Sequence, residues 1–207
     1  SAEVKVLVNS FRRYMTTEDF VEESKRFKPD VVGFSFSTLE LMFVYDLIAK
    51  VKDATNALIL AGGPHPTIRP EEVLDHRVDI VALGEGESTV ADLCALLASK
   101  PGSLPSSVLT DPDLIRRLAV VNGLMFRNER GEVIRTPPRT RNLDLDKLPL
   151  PDFDLLDKDP YRVADGTLKG FNKLESGRGC PFQCTFCDRS IFGNRYVHKS
   201  PERILQD

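Results

Sequence analysis

The stretch Asp30-Val31-Val32-Gly33-Phe34-Ser35-Phe36-Ser37-Thr38 decides the fold. Its apolar residues run almost unbroken and begin with β-branched ones, which suits a strand buried on both faces rather than one with a wet side. It gives way to small hydroxyl residues and then to an amphipathic stretch, Leu39 to Lys52. The same order recurs twice. Ala57 to Ala61 leads into Gly62-Gly63-Pro64-His65-Pro66-Thr67 and a helical stretch at Pro70 to His76. Asp79 to Leu83 leads into Gly84-Glu85-Gly86-Glu87-Ser88 and a helical stretch at Ser88 to Leu97. Upstream, the apolar run Val4 to Val8 precedes Thr17 to Phe27, where Thr17, Phe20, Val21 and Phe27 fit a capped amphipathic helix. Strand-helix repeats of this kind predict the α/β class, with a Rossmann-like doubly wound parallel sheet whose strand C-termini share one edge.

Working outward, residues 1–100 form this first domain and residues 101–171 a hairpin and linker. Pro101 to Pro112 is rich in Pro, Ser and Asp and closes the regular pattern. Gly123 to Phe126 and Glu132 to Arg135 alternate as strands across Asn128-Glu129-Arg130-Gly131, a hairpin turn. Thr136 to Pro160, with Pro137-Pro138 and Leu148-Pro149-Leu150-Pro151-Asp152-Phe153, is an extended linker. A new domain covers residues 172–207, with a strand at Lys173 to Glu175 and a final helix that has Ser200 at its N-cap and Pro201 in its first turn. The chain is read as a fragment of a larger protein, stopping soon after this domain begins.

Composition narrows the function classes. Lys and Arg number 28 against 31 Asp and Glu, a net charge of -3 with the signs interspersed, so no basic footprint points to nucleic acid or an anionic membrane. No run approaches the ~20 apolar residues of a membrane-spanning helix, and Ser1 to Ser10 lacks the order of a signal peptide. The expected location is the cytoplasm.

Three of the 4 cysteines fall in Cys180-Pro181-Phe182-Gln183-Cys184-Thr185-Phe186-Cys187. This is the clustering of a metal site, not of a disulfide framework. Three thiolates in one loop suit three irons of a cubane [4Fe–4S] cluster and leave the fourth iron open, and the preceding Gly177-Arg178-Gly179 lets the backbone turn tightly. Zinc is the rival ligand, but a structural zinc site wants four donors, and neither Cys94 nor His198 is placed by spacing to complete one.

The second constellation is spread over the three strand-end loops: Ser35, Ser37 and Thr38; Gly62, Gly63 and His65; Gly84, Glu85 and Gly86. At that edge of an open parallel sheet, helix N-termini and small residues present free backbone N–H groups to a cofactor. Glycines also serve tight strand-helix turns, and His65 between two prolines suits a rigid loop as well as a ligand contact. Cys94 lies with Val90, Leu93 and Leu97 on an apolar stripe and is expected in the core. His76 and His198 are expected at the surface; Arg178 and Arg189 could offer charge to a cluster or a cofactor carboxylate, but exposed arginines are the commoner case and neither is counted in the site.

The cysteine spacing C-x3-C-x2-C, with an aromatic before the last cysteine, closely resembles the radical S-adenosylmethionine superfamily. With Lys28-Pro29-Asp30-Val31-Val32-Gly33, Gly62-Gly63-Pro64-His65-Pro66-Thr67, Leu83-Gly84-Glu85-Gly86-Glu87 and the linker Leu148-Pro149-Leu150-Pro151-Asp152, the chain resembles the cobalamin-dependent members of that group. The resemblance implies a [4Fe–4S] cluster on Cys180, Cys184 and Cys187, with S-adenosylmethionine chelating the open iron. Phe186 would pack by the adenine, and one-electron cleavage of the sulfonium would give a 5′-deoxyadenosyl radical. It further implies cobalamin on the first domain, relaying a methyl group or tuning the radical step, a small-molecule substrate, and an electron donor such as ferredoxin or flavodoxin. The Asp-x-His-x-x-Gly motif of other cobalamin proteins is absent, since the loop after Val8 reads Asn9-Ser10-Phe11-Arg12, so no histidine from that motif ligates cobalt. Two alternatives stay open: a radical enzyme whose first domain binds substrate or a partner without cobalamin, and a non-catalytic iron–sulfur or zinc module.

Overall fold

The computed structural model describes residues 3–7, 15–99, 111–155 and 174–207. Strands β1 (Val31–Ser35), β2 (Leu58–Gly62) and β3 (Ile80–Ala82) lie side by side in parallel, with Val32 opposite Ile59 and Leu60 opposite Ile80. They alternate with helices α1 (Thr17–Phe27), α2 (Leu41–Ala54), α3 (Pro64–Ile68), α4 (Pro70–Leu74) and α5 (Glu87–Ala98), as the repeat of apolar runs demands. A sixth helix, α6 (Pro112–Leu118), leads to the hairpin β4 (Leu124–Arg127) and β5 (Val133–Arg135).

The hairpin is not a separate unit. β4 pairs antiparallel with β3, Ile80 opposite Phe126, and the sheet runs β1-β2-β3-β4-β5. Thr136 is buried and seals the junction, its hydroxyl accepting from the Leu124 amide at 2.8 Å.

Side chains alternate along each strand, and that alternation builds two cores. Ile59, Ala61, Val81 and Met125 face one way, against Phe20 of α1, Val44 and Ile48 of α2 and Val73 of α4. Leu58, Leu60, Ile80, Leu124 and Phe126 face the other way, against Leu93 and Leu97 of α5 and Leu114 and Leu118 of α6. Helices on both faces make the sheet doubly wound, as expected.

Four local expectations change. Residues 4–7 form no strand: Val4 and Val6 are exposed, and Lys5 pairs with Glu23 of α1 at 2.8 Å, so the segment is tied to a helix rather than a ladder. Val8 and the loop Asn9 to Arg12 lie outside the described residues. The cap of α1 is Thr16, not Thr17, in a reciprocal box with Asp19. Cys94 is exposed, because Thr89, Leu93 and Leu97, spaced four apart, are the residues of α5 that turn inward. Leu174 and Glu175 carry no strand; the pairing comes later, β6 (Gly177–Arg178) against β7 (Val197–His198), and Lys173 lies outside the described residues. The closing helix α7 (Pro201–Gln206) is capped by Ser200 as read from the sequence.

Candidate functional site at the sheet edge and the cysteine loop

The three strand-end loops are knitted to one another at the C-terminal edge of the sheet. The Phe36 amide donates to the Gly62 carbonyl at 3.3 Å, and the His65 amide to the Phe36 carbonyl at 3.2 Å. This close approach needs Gly63: its φ is +92°, and a Cβ there would sit 2.8 Å from Ser35 Oγ and 3.0 Å from the Phe36 nitrogen. The hydroxyl of Thr67 donates to the Gly63 carbonyl at 2.8 Å and accepts from the Gly84 amide at 3.1 Å, joining the second loop to the third.

His65 is buried, not a free loop residue. Its ring stacks on Phe36, with centroids 5.8 Å apart, and Nδ1 lies 3.0 Å from Thr38 Oγ1. Nε2 has no hydrogen-bond partner; the nearest carboxylate oxygen, Glu72 Oε1, stands 3.6 Å away, too far for one. Burial, reinforced by Glu72, raises the Tyr45 hydroxyl to about 12, and that hydroxyl reaches Glu72 at 3.5 Å. Ser37 is held by Glu40, which accepts from both its amide and its hydroxyl at 2.7 Å; the amide bond foremost holds the Glu40 carboxyl below its ordinary value.

Glu85 is held at the junction with the cysteine loop. Both its oxygens are engaged, Oε1 by Arg178 at 3.2 Å and Oε2 by the Asn142 amide at 2.7 Å. Glu87 meets the same guanidinium at 2.6 Å and Glu175 at 2.9 Å. Burial would raise the Glu87 carboxyl, but the hydrogen bond and charge of Arg178 outweigh it and hold the group below its ordinary value. Arg178, expected at the surface, is half-buried over the Phe192 ring, 5.3 Å from its centroid. Gly86 occupies the N-cap position of α5, its carbonyl accepting from Val90 at 2.8 Å.

The cysteine loop begins two residues after Arg178. Cys180 is half-buried and Cys184 and Cys187 are exposed, with a turn closed by the Cys187 amide on the Cys184 carbonyl at 3.1 Å. Gly179 has φ +84°, and a Cβ there would collide with the Arg195 carbonyl. Phe186 is 90% exposed, its face free. Among the described residues no three His, Cys, Asp or Glu side chains are gathered around a metal-sized space. The donor set still fits an iron–sulfur cluster better than zinc: three thiols share one accessible loop, while Cys94 stands on helix α5 and His198 is tied to the Lys199 carbonyl at 3.1 Å. The sheet edge offers a cofactor the orphaned His65 nitrogen and the open space at Gly84 and Gly86, where a Cβ would meet nothing within 4 Å.

Sequence reasoning left Arg178 out of the site and missed Asn142 and Phe192. The signal for Arg178 was present, a lone cation beside the cysteines with two acids in the Gly84-Glu85-Gly86-Glu87 loop; nothing local marks Asn142, which contributes only its backbone.

Fold and site together define an α/β protein with an open sheet edge joined to a three-cysteine loop. The B12 binding domain family matches residues 3–94. An uncharacterized methyltransferase of Pyrococcus horikoshii is 32% identical over 205 residues, 97% of this chain and 40% of that protein. The anaerobic magnesium-protoporphyrin IX monomethyl ester cyclase of Synechocystis sp. is 28% identical over 198 residues, 93% of this chain and 36% of that protein. The fold matches the cobalamin-dependent S-adenosylmethionine radical enzyme OxsB, solved with aqua-cobalamin bound, at a TM-score of 0.70 and 23% identity, over 92% of this chain and 24% of that one. Residues 3–94 thus fall within the B12 binding domain family, and the chain spans well under half the length of these relatives.

Proposed function

We propose that this chain carries the cofactor-binding part of a cobalamin-dependent radical S-adenosylmethionine enzyme acting on a small molecule, by methyl transfer or a related radical transformation. The observation that carries the reading is the docking of the C-x3-C-x2-C loop onto the third ligand loop of the B12-binding domain through Arg178. Cys180, Cys184 and Cys187 would hold three irons of a [4Fe–4S] cluster, which soft thiolates suit, and Phe186 offers an open aromatic face for adenine. The loops at Ser35 to Thr38, Gly62 to His65 and Gly84 to Gly86 would seat cobalamin with backbone amides and small side chains, Gly63 letting the first two loops close on each other.

Bound there, cluster and S-adenosylmethionine supply one-electron cleavage of a sulfonium, and cobalamin supplies a methyl carrier. The chain's residues fix and shield these groups. Ferredoxin or flavodoxin is the fitting electron donor, and a reducing cytoplasm suits the free thiols. No helix among the described residues is long and apolar enough to cross a membrane.

The test is formation of 5′-deoxyadenosine from S-adenosylmethionine by the full-length protein, reconstituted anaerobically with iron and sulfide and reduced with dithionite. The reading expects steady formation that falls to background in Cys184→Ala. Equal yields from both proteins would reject it.

A further inference from the structure

We propose that Glu85 and Glu87 act as a strut that positions the cysteine loop against the B12-binding domain through Arg178, rather than as cofactor contacts. Arg178 is a charge that has been taken almost out of water: its side chain is 10% exposed, and that of Glu85 9%. A buried cation stands only where its donors are met, and this one meets three carboxylates. Nε faces both oxygens of Glu175 at 3.0 Å, while the two terminal nitrogens reach Glu85 and Glu87. The planar fork of arginine fits this arrangement, and a lysine would lose most of it.

The other end of the residue is held as firmly. The Arg178 carbonyl accepts from Arg141 at 2.9 Å, and the same guanidinium of Arg141 donates to the Arg195 carbonyl on the far side of the loop. Glu85 also takes the Asn142 amide, so one carboxylate gathers the α/β domain, the linker and the stem of the cysteine loop. Gly179 has the Arg195 carbonyl directly behind it, which leaves the stem no room to drift. Cys180 follows at once, so a strut fixed at Arg178 fixes the first ligand.

The consequence for function rests on the proposed function above: two cofactors on two parts of one chain need a constant separation, and this strut supplies it. The strut itself can be tested without either cofactor. In cofactor-free full-length protein, hydrogen exchange over residues 174–199 is expected to quicken about tenfold or more in the double variant Glu85→Gln/Glu87→Gln, which removes two charged partners of Arg178, with residues 41–62 unchanged. Both substitutions lie about ninety residues away from the loop they would loosen. Arg178→Lys should loosen it less than Arg178→Gln. In the reconstituted protein the double variant should keep its iron, while the dipolar coupling between paramagnetic cobalt and the reduced cluster spreads into a broad distribution. Unchanged exchange over 174–199 would overturn the strut, as would loss of cobalamin binding with exchange unaltered, which would make Glu85 a cofactor contact. Wild-type protein that takes up no cobalt would count against the proposed function alone, because the exchange comparison still decides the strut.

Discussion

At the scale of the residue, the site depends on a few positions whose neighbours leave no alternative. Gly63 adopts a backbone conformation open to glycine alone, with Ser35 and Phe36 where a Cβ would go. Gly63→Ala should cost about 2 kcal/mol, read as a lower urea midpoint with unchanged slope. Tyr45 gives a pH signature. Its hydroxyl is raised from 10.0 to about 12 by burial first and Glu72 second. The protonated form is favoured in the fold, so this contribution to stability is whole below pH 10.0 and is lost as pH rises towards about 12. Phenolate absorbance should show one late-titrating tyrosine that disappears in Tyr45→Phe; a titration with no late component would show the site open to water. The glycines and His65 were legible as a constellation because small residues after apolar runs stand out. The burial of His65 was not, since it depends on Phe36 and Tyr45, brought from two other elements.

At the scale of the element, β1, β2 and β3 and helices α2, α4 and α5 were legible because each is long or apolar enough to carry its own period. The run Val4 to Val8 has the same apolar character, yet residues 4–7 pair with no strand; propensity cannot supply a neighbour. Helix α6 went unread although Asp111, Pro112 and Asp113 spell a capped start, with Asp111 accepting from the Asp113 amide at 2.9 Å. Asp111→Ala should cost about 1 kcal/mol, measurable by thermal unfolding. The hairpin was legible as a hairpin but not as part of the first sheet, because β3–β4 pairing joins residues more than forty apart. Phe126, fully buried between α5 and α6, tests this. Phe126→Ala should lower stability by about 3–5 kcal/mol and speed hydrogen exchange in β2 and β3 as well as in the hairpin. Slowed or unchanged exchange in β2 and β3 would mean that the hairpin folds apart.

At the scale of the whole molecule, the chain joins the loop edge of its sheet to a three-thiol loop, and one half-buried arginine spans the join. The cysteine spacing made the loop readable, because three soft ligands in eight residues have few other uses. The join was not readable. An arginine beside a cysteine is ordinarily solvated, and only the folded chain brings Glu85 and Glu87 to it across some ninety residues. The central claim is that one chain holds both an iron–sulfur cluster and cobalamin. Metal analysis of the full-length protein, reconstituted anaerobically with iron, sulfide and hydroxocobalamin and then freed of unbound metal, tests it most directly. About four irons and one cobalt per chain are expected, with the iron lost and the cobalt kept in Cys184→Ala. Zinc in place of iron, or iron without cobalt, would contradict it.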